Sequence, residues 1–268
     1  LRGVTAIPND IVLEIASRLR YSITDLYSLY TQKHSKEDIL IREVYNEIRI
    51  HNYSEAFNKL SKLNPESFVS EYYKTSYDYC MIFVQHALGR VSDVHVLQMY
   101  SELINYPECM SNESFNFVEI STLTQIIRVS SKINNFEAAD ALYNIMSNNA
   151  FNYSTQNENS LILVLYYTIA LVFYKQEQYK KTLDLTIAGI QSAIQNENTN
   201  ALPQIYLLDA FANKHLENIE DAYLSAKKCF MLIIISGSKA NFEQFKVSYY
   251  KMFDLPIEEL LTDISNMI

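Results

Sequence analysis

The stretch Asn218-Ile219-Glu220-Asp221-Ala222 decides the fold because its pattern recurs along the chain. In each copy a polar turn is followed by an aromatic or aliphatic residue, and a small residue then opens a second helix. The clearest other copies lie at residues 52–56, 135–139 and 178–182, and a weaker copy lies at residues 90–94. The last residues of consecutive copies are 38, 45, 43 and 40 positions apart. A period of roughly 20 to 50 residues is typical of repeat proteins.

The pattern has a physical explanation in the packing of two antiparallel helices. A small residue lets the second helix approach the first, and the aromatic or aliphatic residue anchors the turn between them. Neither helix can bury its apolar face alone, so neighbouring pairs must stack. The sequence therefore predicts helix pairs that stack into a curved superhelix with a concave inner surface.

The composition supports an all-helical fold. The 268 residues include only 4 glycines and 5 prolines, whereas sandwiches, barrels and dinucleotide-binding sheets need glycine wherever the backbone takes a positive φ. With 49% apolar residues, the chain can also bury a sizeable core.

Charge and cysteine content narrow the function. A net charge of -9 argues against binding nucleic acid through overall charge, because such binding needs a positive footprint. The three cysteines are far apart and predict reduced thiols in a cytoplasmic protein. The longest uncharged stretch, residues 160–174, is shorter than the roughly 20 residues that a membrane span needs, so no membrane partner is expected.

The first residues carry a family resemblance. Arg2-Gly3 precedes Ile7-Pro8, and Ser22-Ile23-Thr24-Asp25-Leu26 follows. This order resembles the end of an XRE-type helix-turn-helix domain, in which an Arg-Gly loop precedes a fourth helix that starts with proline and a fifth that starts with Ser-x-x-(Asp/Glu)-Leu. Followed by about five degenerate tetratricopeptide (TPR)-like repeats, it is similar to the Rgg/PlcR/PrgX group of peptide-pheromone receptors of Gram-positive bacteria.

The resemblance implies both the architecture and the partners. The fold would be an all-α right-handed superhelix of about five TPR-like helix hairpins, preceded by the last two helices of a helix-turn-helix domain. The expected domains are residues 1–32, the end of the helix-turn-helix; residues 33–242, the peptide-binding repeats; and residues 243–268, a C-terminal capping or dimerisation helix. The protein would be a homodimeric, cytoplasmic quorum-sensing regulator whose short hydrophobic peptide controls DNA binding.

One departure from the family concerns DNA. The first three helices of the family's helix-turn-helix, including the one that enters the major groove, have no counterpart here, so most of that domain is expected to have been lost upstream. By analogy with the family, Arg2 would lie near a phosphate of the DNA.

A peptide groove needs polar side chains that bond to the peptide backbone, with apolar walls between them. Such residues should lie on the first helices of the hairpins, at fixed distances before the turns. The candidate polar residues are Gln125, Arg128, Thr168, Asp209 and Asn213, and the candidate wall residues are Tyr167 and Phe173. Arg128 could meet the C-terminal carboxylate of the peptide. An alternative for Asp209 and Asn213 is that they bond to neighbouring helices.

No catalytic constellation is found. The sequence has no Cys-x-x-Cys pair, His-Glu-x-x-His motif, phosphate-binding glycine loop or nucleophile elbow. We therefore expect no enzyme, no cofactor and no metal site. The alternative function is a TPR-like scaffold that holds a protein partner and does not bind DNA.

Overall fold

The computed structural model describes residues 23–68, 70–112, 114–147, 159–237 and 239–265, and gives the backbone alone at residues 23–35, 159–160, 241 and 264–265. Within these ranges the regular structure is helical, as predicted, with 12 α-helices and no strand. None of the described helices is long and apolar enough to cross a membrane. The helices are α1 (Ile23–Arg49), α2 (Tyr53–Ser61), α3 (Glu71–Ala87), α4 (Asp93–Ile104), α5 (Phe117–Lys132), α6 (Glu137–Ser147), α7 (Asn159–Lys175), α8 (Tyr179–Gln195), α9 (Leu202–His215), α10 (Ile219–Ser236), α11 (Lys239–Phe253) and α12 (Ile257–Ser265).

The helix predicted to open at Ser22 is described from Ile23 onward, and it does not end near residue 32. It continues as α1 for 27 residues and so runs through the expected domain boundary between residues 32 and 33. Residues 23–49 contain no glycine or proline, so nothing in this stretch breaks the helix. Arg2 and the helix expected after Ile7 lie outside the described residues.

The chain divides into two compact units, with the division between Val96 and Leu97. In the first unit, α1 packs against α2 and α3, and α2 packs against α3. Leu60 of α2 is fully buried there, and Lys59 pairs with Glu47 of α1 across 2.7 Å. The first unit therefore has a core of its own.

The second unit contains three consecutive helix hairpins and a terminal pair. The hairpins are α5 with α6, α7 with α8, and α9 with α10, and the first helices α5, α7, α9 and α11 pack against one another in that order. The second helix α8 also packs against α9 of the next hairpin. This is the packing of a TPR-like repeat, in which each unit contacts its neighbours.

The small residue of each repeat motif is buried between helices, which confirms its predicted role. Ala56, Thr182 and Ala222 are 0% exposed, and Ala139 is 1% exposed. The weaker copy needs a correction, because Val94 is 70% exposed and Val96, at 0%, is the buried residue. Helix α4 begins at Asp93, so Val96 is its fourth residue, matching Ala56, Thr182 and Ala222 in their own helices.

The turns that follow α1, α3, α5, α7 and α9 share one backbone geometry. Each contains a residue with a left-handed φ between 58° and 70°, and the N–H after that residue donates to a carbonyl five positions earlier, at 2.9 to 3.0 Å. This is the bonding of a Schellman helix end. The left-handed residues are His51, Gly89, Asn134, Glu177 and Glu217. Only one of them is glycine, which explains how a chain with so few glycines forms five such turns.

The C-terminal region is a pair of helices. Helix α11 begins at Lys239, so the boundary expected at residues 242 and 243 falls inside it. In α12, Ile257 and Leu260 are buried, and the helix packs against α10 and α11. This packing favours the capping role of the terminal helix, whereas its role in a dimer stays a prediction.

Candidate functional site

A pocket of about 160 Å³ lies where the first helices α7, α9 and α11 meet. Tyr167, Leu171 and Tyr174 line it from α7 and recur at four and three residues, so they share one face of the helix. Helix α11 contributes Gln244, Phe245 and Ser248. The pocket therefore involves corresponding helices of three successive repeats.

Helix α9 forms the middle of the pocket and supplies Gln204, Leu207, Leu208 and Phe211. No acidic or basic side chain lines the pocket. The side-chain oxygen Oε1 of Gln204 is buried and accepts no hydrogen bond from the described residues. The site is thus an uncharged, mainly apolar pocket, and the buried oxygen of Gln204 makes no hydrogen bond within the described part of the chain.

The charge of the predicted residue Arg128 acts on the hydroxyl of Tyr167, another predicted residue, which lines the pocket. Burial raises the pKa of the Tyr167 hydroxyl, and the positive charge of Arg128 acts in the opposite direction and lowers it. Arg128 is exposed on α5, which packs against α7, and Gln125 lies one helical turn earlier and is half-buried. A charged residue and an amide therefore lie on the helix that precedes the pocket.

One edge of the pocket is fixed by aromatic contacts. The Tyr174 hydroxyl lies 3.2 Å from Nε2 of His215, and the His215 ring stacks on Tyr179 with a centroid distance of 4.4 Å. Burial raises the pKa of Tyr174 to about 12, so its hydroxyl stays protonated near neutral pH. These contacts join the end of α7, the start of α8 and the end of α9.

Asp209 and Asn213 lie in the interior of the second unit, 6% and 7% exposed. The Asp209 carboxylate accepts hydrogen bonds from Thr186 at 2.6 Å, Ser225 at 2.6 Å and Asn213 at 3.0 Å. The Asn213 carbonyl oxygen accepts a bond of 3.2 Å from Asn218 in the following turn. Asp209 thus makes the bonds to neighbouring helices that the sequence left open as an alternative, whereas Asn213 bonds within α9 and to the turn that follows it.

Thr168 and Phe173 are also interior residues of α7. The Thr168 hydroxyl donates to the carbonyl of Val164, one turn earlier, at 2.7 Å. Phe173 is 0% exposed and packs edge-on against Tyr143, with ring centroids 5.3 Å apart. Neither residue lines the pocket, so each contributes to the packing of the helices that form it.

A second pocket of about 290 Å³ lies among α6, α7 and α8. The hydroxyl of Tyr143 donates a bond of 2.9 Å to Asp184 at its edge, and Tyr166 of α7 also lines it. None of the residues predicted from the sequence to bind a peptide lines this pocket.

Sequence reasoning missed most of the lining of the α7–α9–α11 pocket. Leu171, Leu208 and Phe211 were not selected because apolar residues at helical spacing also describe a core. The sequence did contain a pattern that could have indicated this pocket. Each of three successive first helices has a pair of lining residues four positions apart: Tyr167 and Leu171, Gln204 and Leu208, and Gln244 and Ser248.

The hairpin turns, the buried small residues and the stacked first helices define the class of fold as a TPR-like helical repeat. The chain shares this fold with PlcR of Bacillus thuringiensis. The crystal structure of apo PlcR matches with a TM-score of 0.63 and 16% identity, covering 86% of this chain and 84% of PlcR. The structure of PlcR with the peptide PapR7 and DNA matches with a TM-score of 0.61 and 17% identity, covering 91% and 86%.

The match confirms, at the level of the fold, the resemblance to the Rgg/PlcR/PrgX group. No protein-family model matches the sequence, and no curated protein sequence does.

Proposed function

We propose that the protein is a cytoplasmic transcription regulator that binds a short hydrophobic peptide on the first helices of its hairpins and changes its DNA binding in response. The observation that carries this proposal is the uncharged pocket formed by three consecutive first helices. The fold adds support, because PlcR shares it and has been crystallised with a peptide and DNA.

The predicted residues have different parts in this function. Gln125, Arg128 and Tyr167 reach the solvent side of the first helices and contact the peptide. Thr168, Phe173, Asp209 and Asn213 are buried and keep those helices in position. The peptide is then read by side chains on a rigid scaffold, which is how repeat proteins present extended binding surfaces.

The regulatory step follows from the stacking of the hairpins. A peptide that contacts α7, α9 and α11 together stabilises the arrangement of these helices that fits it best, and a ligand shifts an equilibrium by its differential affinity for the two states. In a homodimer, this shift changes the spacing of the two DNA-reading domains.

Binding of synthetic peptides encoded by short reading frames beside the gene tests the receptor assignment. Titration calorimetry is expected to give saturable binding for at least one hydrophobic peptide and none for its scrambled version. If no such peptide binds the folded protein, the assignment fails.

DNA binding is tested separately, by mobility shift on the promoters next to the gene with the full-length reading frame. A peptide-dependent change in affinity is expected. A protein that binds the peptide but no promoter fragment is instead a scaffold, and an intact helix-turn-helix encoded ahead of Leu1 favours the regulator.

A further inference from the structure

We propose that the second pocket, among α6, α7 and α8, binds a small organic cation in which an ammonium group is attached to an apolar body of about two rings. We call it the amine pocket. The residues that line it include Tyr143, Met146, Tyr166, Asp184, Leu185 and Ala188. This site goes beyond the proposed peptide receptor and does not depend on it.

The amine pocket is separate from the α7–α9–α11 pocket, although both use α7. Tyr166 lines the amine pocket, and Tyr167, the next residue, lines the other one. Consecutive residues of a helix do not face the same way. The amine pocket also takes residues from the second helices α6 and α8, whereas the other pocket is formed by first helices. A ligand in the amine pocket therefore leaves the proposed peptide site open.

A difference between two repeats explains why this space exists. The residue seven positions after the small residue of the repeat motif is Met146 in α6 and Gly189 in α8. A Cβ atom at Gly189 would lie 3.2 Å from Ile205 of α9 and 3.3 Å from Tyr166 of α7, so α8 packs closely against both helices. Met146 has a long side chain at the corresponding position and lines the amine pocket. Helix α6 consequently cannot approach its neighbours as closely, and a pocket remains.

The size and the walls of the pocket define the body of the ligand. The volume is about 290 Å³, and an apolar cavity of about 150 Å³ is enough to bind benzene. A bicyclic group therefore fits. Met146, Leu185 and Ala188 supply aliphatic surface, and the ring of Tyr166 supplies aromatic surface.

Asp184 supplies the charge. It is the one lining residue with an ionised side chain, and its carboxylate accepts a hydrogen bond of 2.9 Å from the neutral hydroxyl of Tyr143. The nearby Lys181 pairs with Asp140 at 3.1 Å, and Asp184 forms no ion pair with a described residue. The negative charge at the pocket is thus available to a positively charged ligand.

Tyr143 holds that carboxylate and takes part in the recognition of cations. Burial raises the pKa of the Tyr143 hydroxyl, so the hydroxyl stays protonated near neutral pH and continues to donate to Asp184. The ammonium group of Lys181 already lies 5.2 Å from the centroid of the Tyr143 ring, and aromatic rings attract cations at such distances. An ammonium group at this edge therefore meets a carboxylate and aromatic surface together.

The same features select against anions. A carboxylate ligand would lie beside Asp184 without a cation to pair with, and the net charge of -9 repels anions from the whole protein. The expected order of affinity is cation, then neutral molecule, then anion.

Three indole compounds test this order because they share one bicyclic body. Tryptamine carries an ammonium group, tryptophol a hydroxyl and indole-3-propionate a carboxylate. Titration calorimetry is expected to show saturable binding of tryptamine, with tryptophol about five- to tenfold weaker and indole-3-propionate weaker still. Added salt should weaken the binding of tryptamine and leave that of tryptophol unchanged. Equal affinities of the three compounds, or no saturable binding of tryptamine by the folded protein, would overturn the proposal.

Methionine methyl NMR locates the ligand without changing the binding site. Tryptamine is expected to shift the methyl signal of Met146, which lines the pocket, and to leave that of Met252 on α11 in place. The Met146 signal is assigned from its loss in Met146→Leu. Saturable binding that leaves the Met146 signal unmoved would place the amine elsewhere and contradict the assignment.

Two substitutions of Asp184 and Asp221 test the charge. Asp184→Asn keeps an oxygen that accepts the Tyr143 bond but removes the negative charge, so the affinity for tryptamine is expected to fall about three- to fivefold while that for tryptophol is unchanged. Asp221→Asn is the matched control, since Asp221 is an exposed carboxylate on the second helix α10, away from the pocket. It should bind tryptamine as wild type does. Equal affinities of Asp184→Asn and wild type for tryptamine would remove Asp184 from the site.

Two substitutions of Ala188 test the space. Ala188→Phe places a ring in the pocket from α8 and is expected to weaken tryptamine about tenfold or more, whereas Ala188→Ser should stay within about twofold of wild type. Unchanged binding by a folded Ala188→Phe variant would overturn the assignment, and Asp184→Asn decides the question if Ala188→Phe does not fold.

The outcomes separate this inference from the proposed function. Tryptamine that binds the amine pocket of a protein to which no neighbouring peptide binds leaves this site intact and removes the receptor. A peptide that binds and changes DNA binding, in a protein that does not bind tryptamine, leaves the receptor intact and removes the amine pocket.

Discussion

The carboxylate of Asp209 accepts a hydrogen bond of 2.6 Å from the hydroxyl of Thr186, and this bond joins the first helix of one hairpin to the second helix of the hairpin before it. Ser225 adds a bond of 2.6 Å to the same carboxylate from the second helix of its own hairpin. One buried carboxylate thus connects α8, α9 and α10. A buried polar group is tolerated when its hydrogen bonds are made, and breaking such a network is destabilising.

Asp209→Ala is therefore expected to lower the free energy of unfolding by about 2 to 4 kcal/mol, because three donors lose their acceptor in the interior. Chemical denaturation followed by circular dichroism measures the change. Asp184→Ala is the matched control, since Asp184 is exposed and accepts a hydrogen bond from the hydroxyl of Tyr143. The control should lose less than about 1 kcal/mol. Equal losses in the two variants would show that the network does not stabilise the fold.

The left-handed turn residues give a second prediction. Glu177→Gly is expected to raise the free energy of unfolding by about 0.5 to 1 kcal/mol, because glycine adopts a φ of 61° without the clash of a Cβ atom. Glu177→Ala keeps the Cβ atom and should give no such gain. Thermal and urea unfolding of the two variants make the comparison.

Gly89→Ala makes the converse change. Gly89 has a φ of 70°, and a Cβ atom added there would meet no atom within 4 Å, so any loss comes from the backbone alone. A loss of about 1 kcal/mol is expected. A neutral result would mean that the turn does not require a left-handed residue at this position.

The burial of the three cysteines predicts that their thiols react slowly in the folded protein. Burial raises the pKa of Cys80 to about 12 and that of Cys109 to about 11, and it also raises the pKa of Cys229. A higher pKa reduces the thiolate fraction at pH 8, and the thiolate is the reactive form. A disulfide reagent is expected to label no cysteine of the folded protein within minutes and all three in denaturant. Ser54→Cys, at an exposed position, should react at once, and similarly fast labelling of a native cysteine would contradict the burial.

Arg128 gives a prediction about the peptide terminus. If Arg128 meets the C-terminal carboxylate, amidation of a bound peptide should weaken wild-type binding about two- to fivefold, as for an exposed ion pair. The same amidation should make no difference to Arg128→Ala. Lys180→Ala, a charge removal on the second helix α8, should respond to amidation as wild type does. Calorimetry with the free-acid and amidated forms of the peptide measures the two affinities. If amidation weakens binding to Arg128→Ala as much as to wild type, Arg128 does not contact the C-terminal carboxylate.

The fold was predictable because its main requirement is visible in the residues. A small residue must lie where two helices touch, and Ala56, Ala139, Thr182 and Ala222 recur at nearly constant spacing for that reason. The weak copy was placed two residues early, because valine occurs both at Val94, which is exposed, and at Val96, which is buried. The positions of glycine do not reveal the hairpin turns, because four of the five residues with a left-handed φ are His, Asn or Glu.

The site was less predictable, because a single helix does not determine what its polar residues face. Asp209 interrupts an apolar stretch, and that pattern fits a groove residue as well as a residue that bonds to other helices. Only the positions of Thr186 and Ser225, 23 and 16 residues away, decide between them. Gln204 was overlooked for the same reason, since its place in the pocket depends on α7 and α11.

The shared turn geometry has a consequence for how such a protein changes over time. Each hairpin requires one residue with a left-handed φ in its turn and one small side chain where its two helices touch. Several residue types meet each of these two requirements. Residues at most other positions can change while the fold is kept. A fold shared with PlcR at only 16% identity is what such permissive requirements allow.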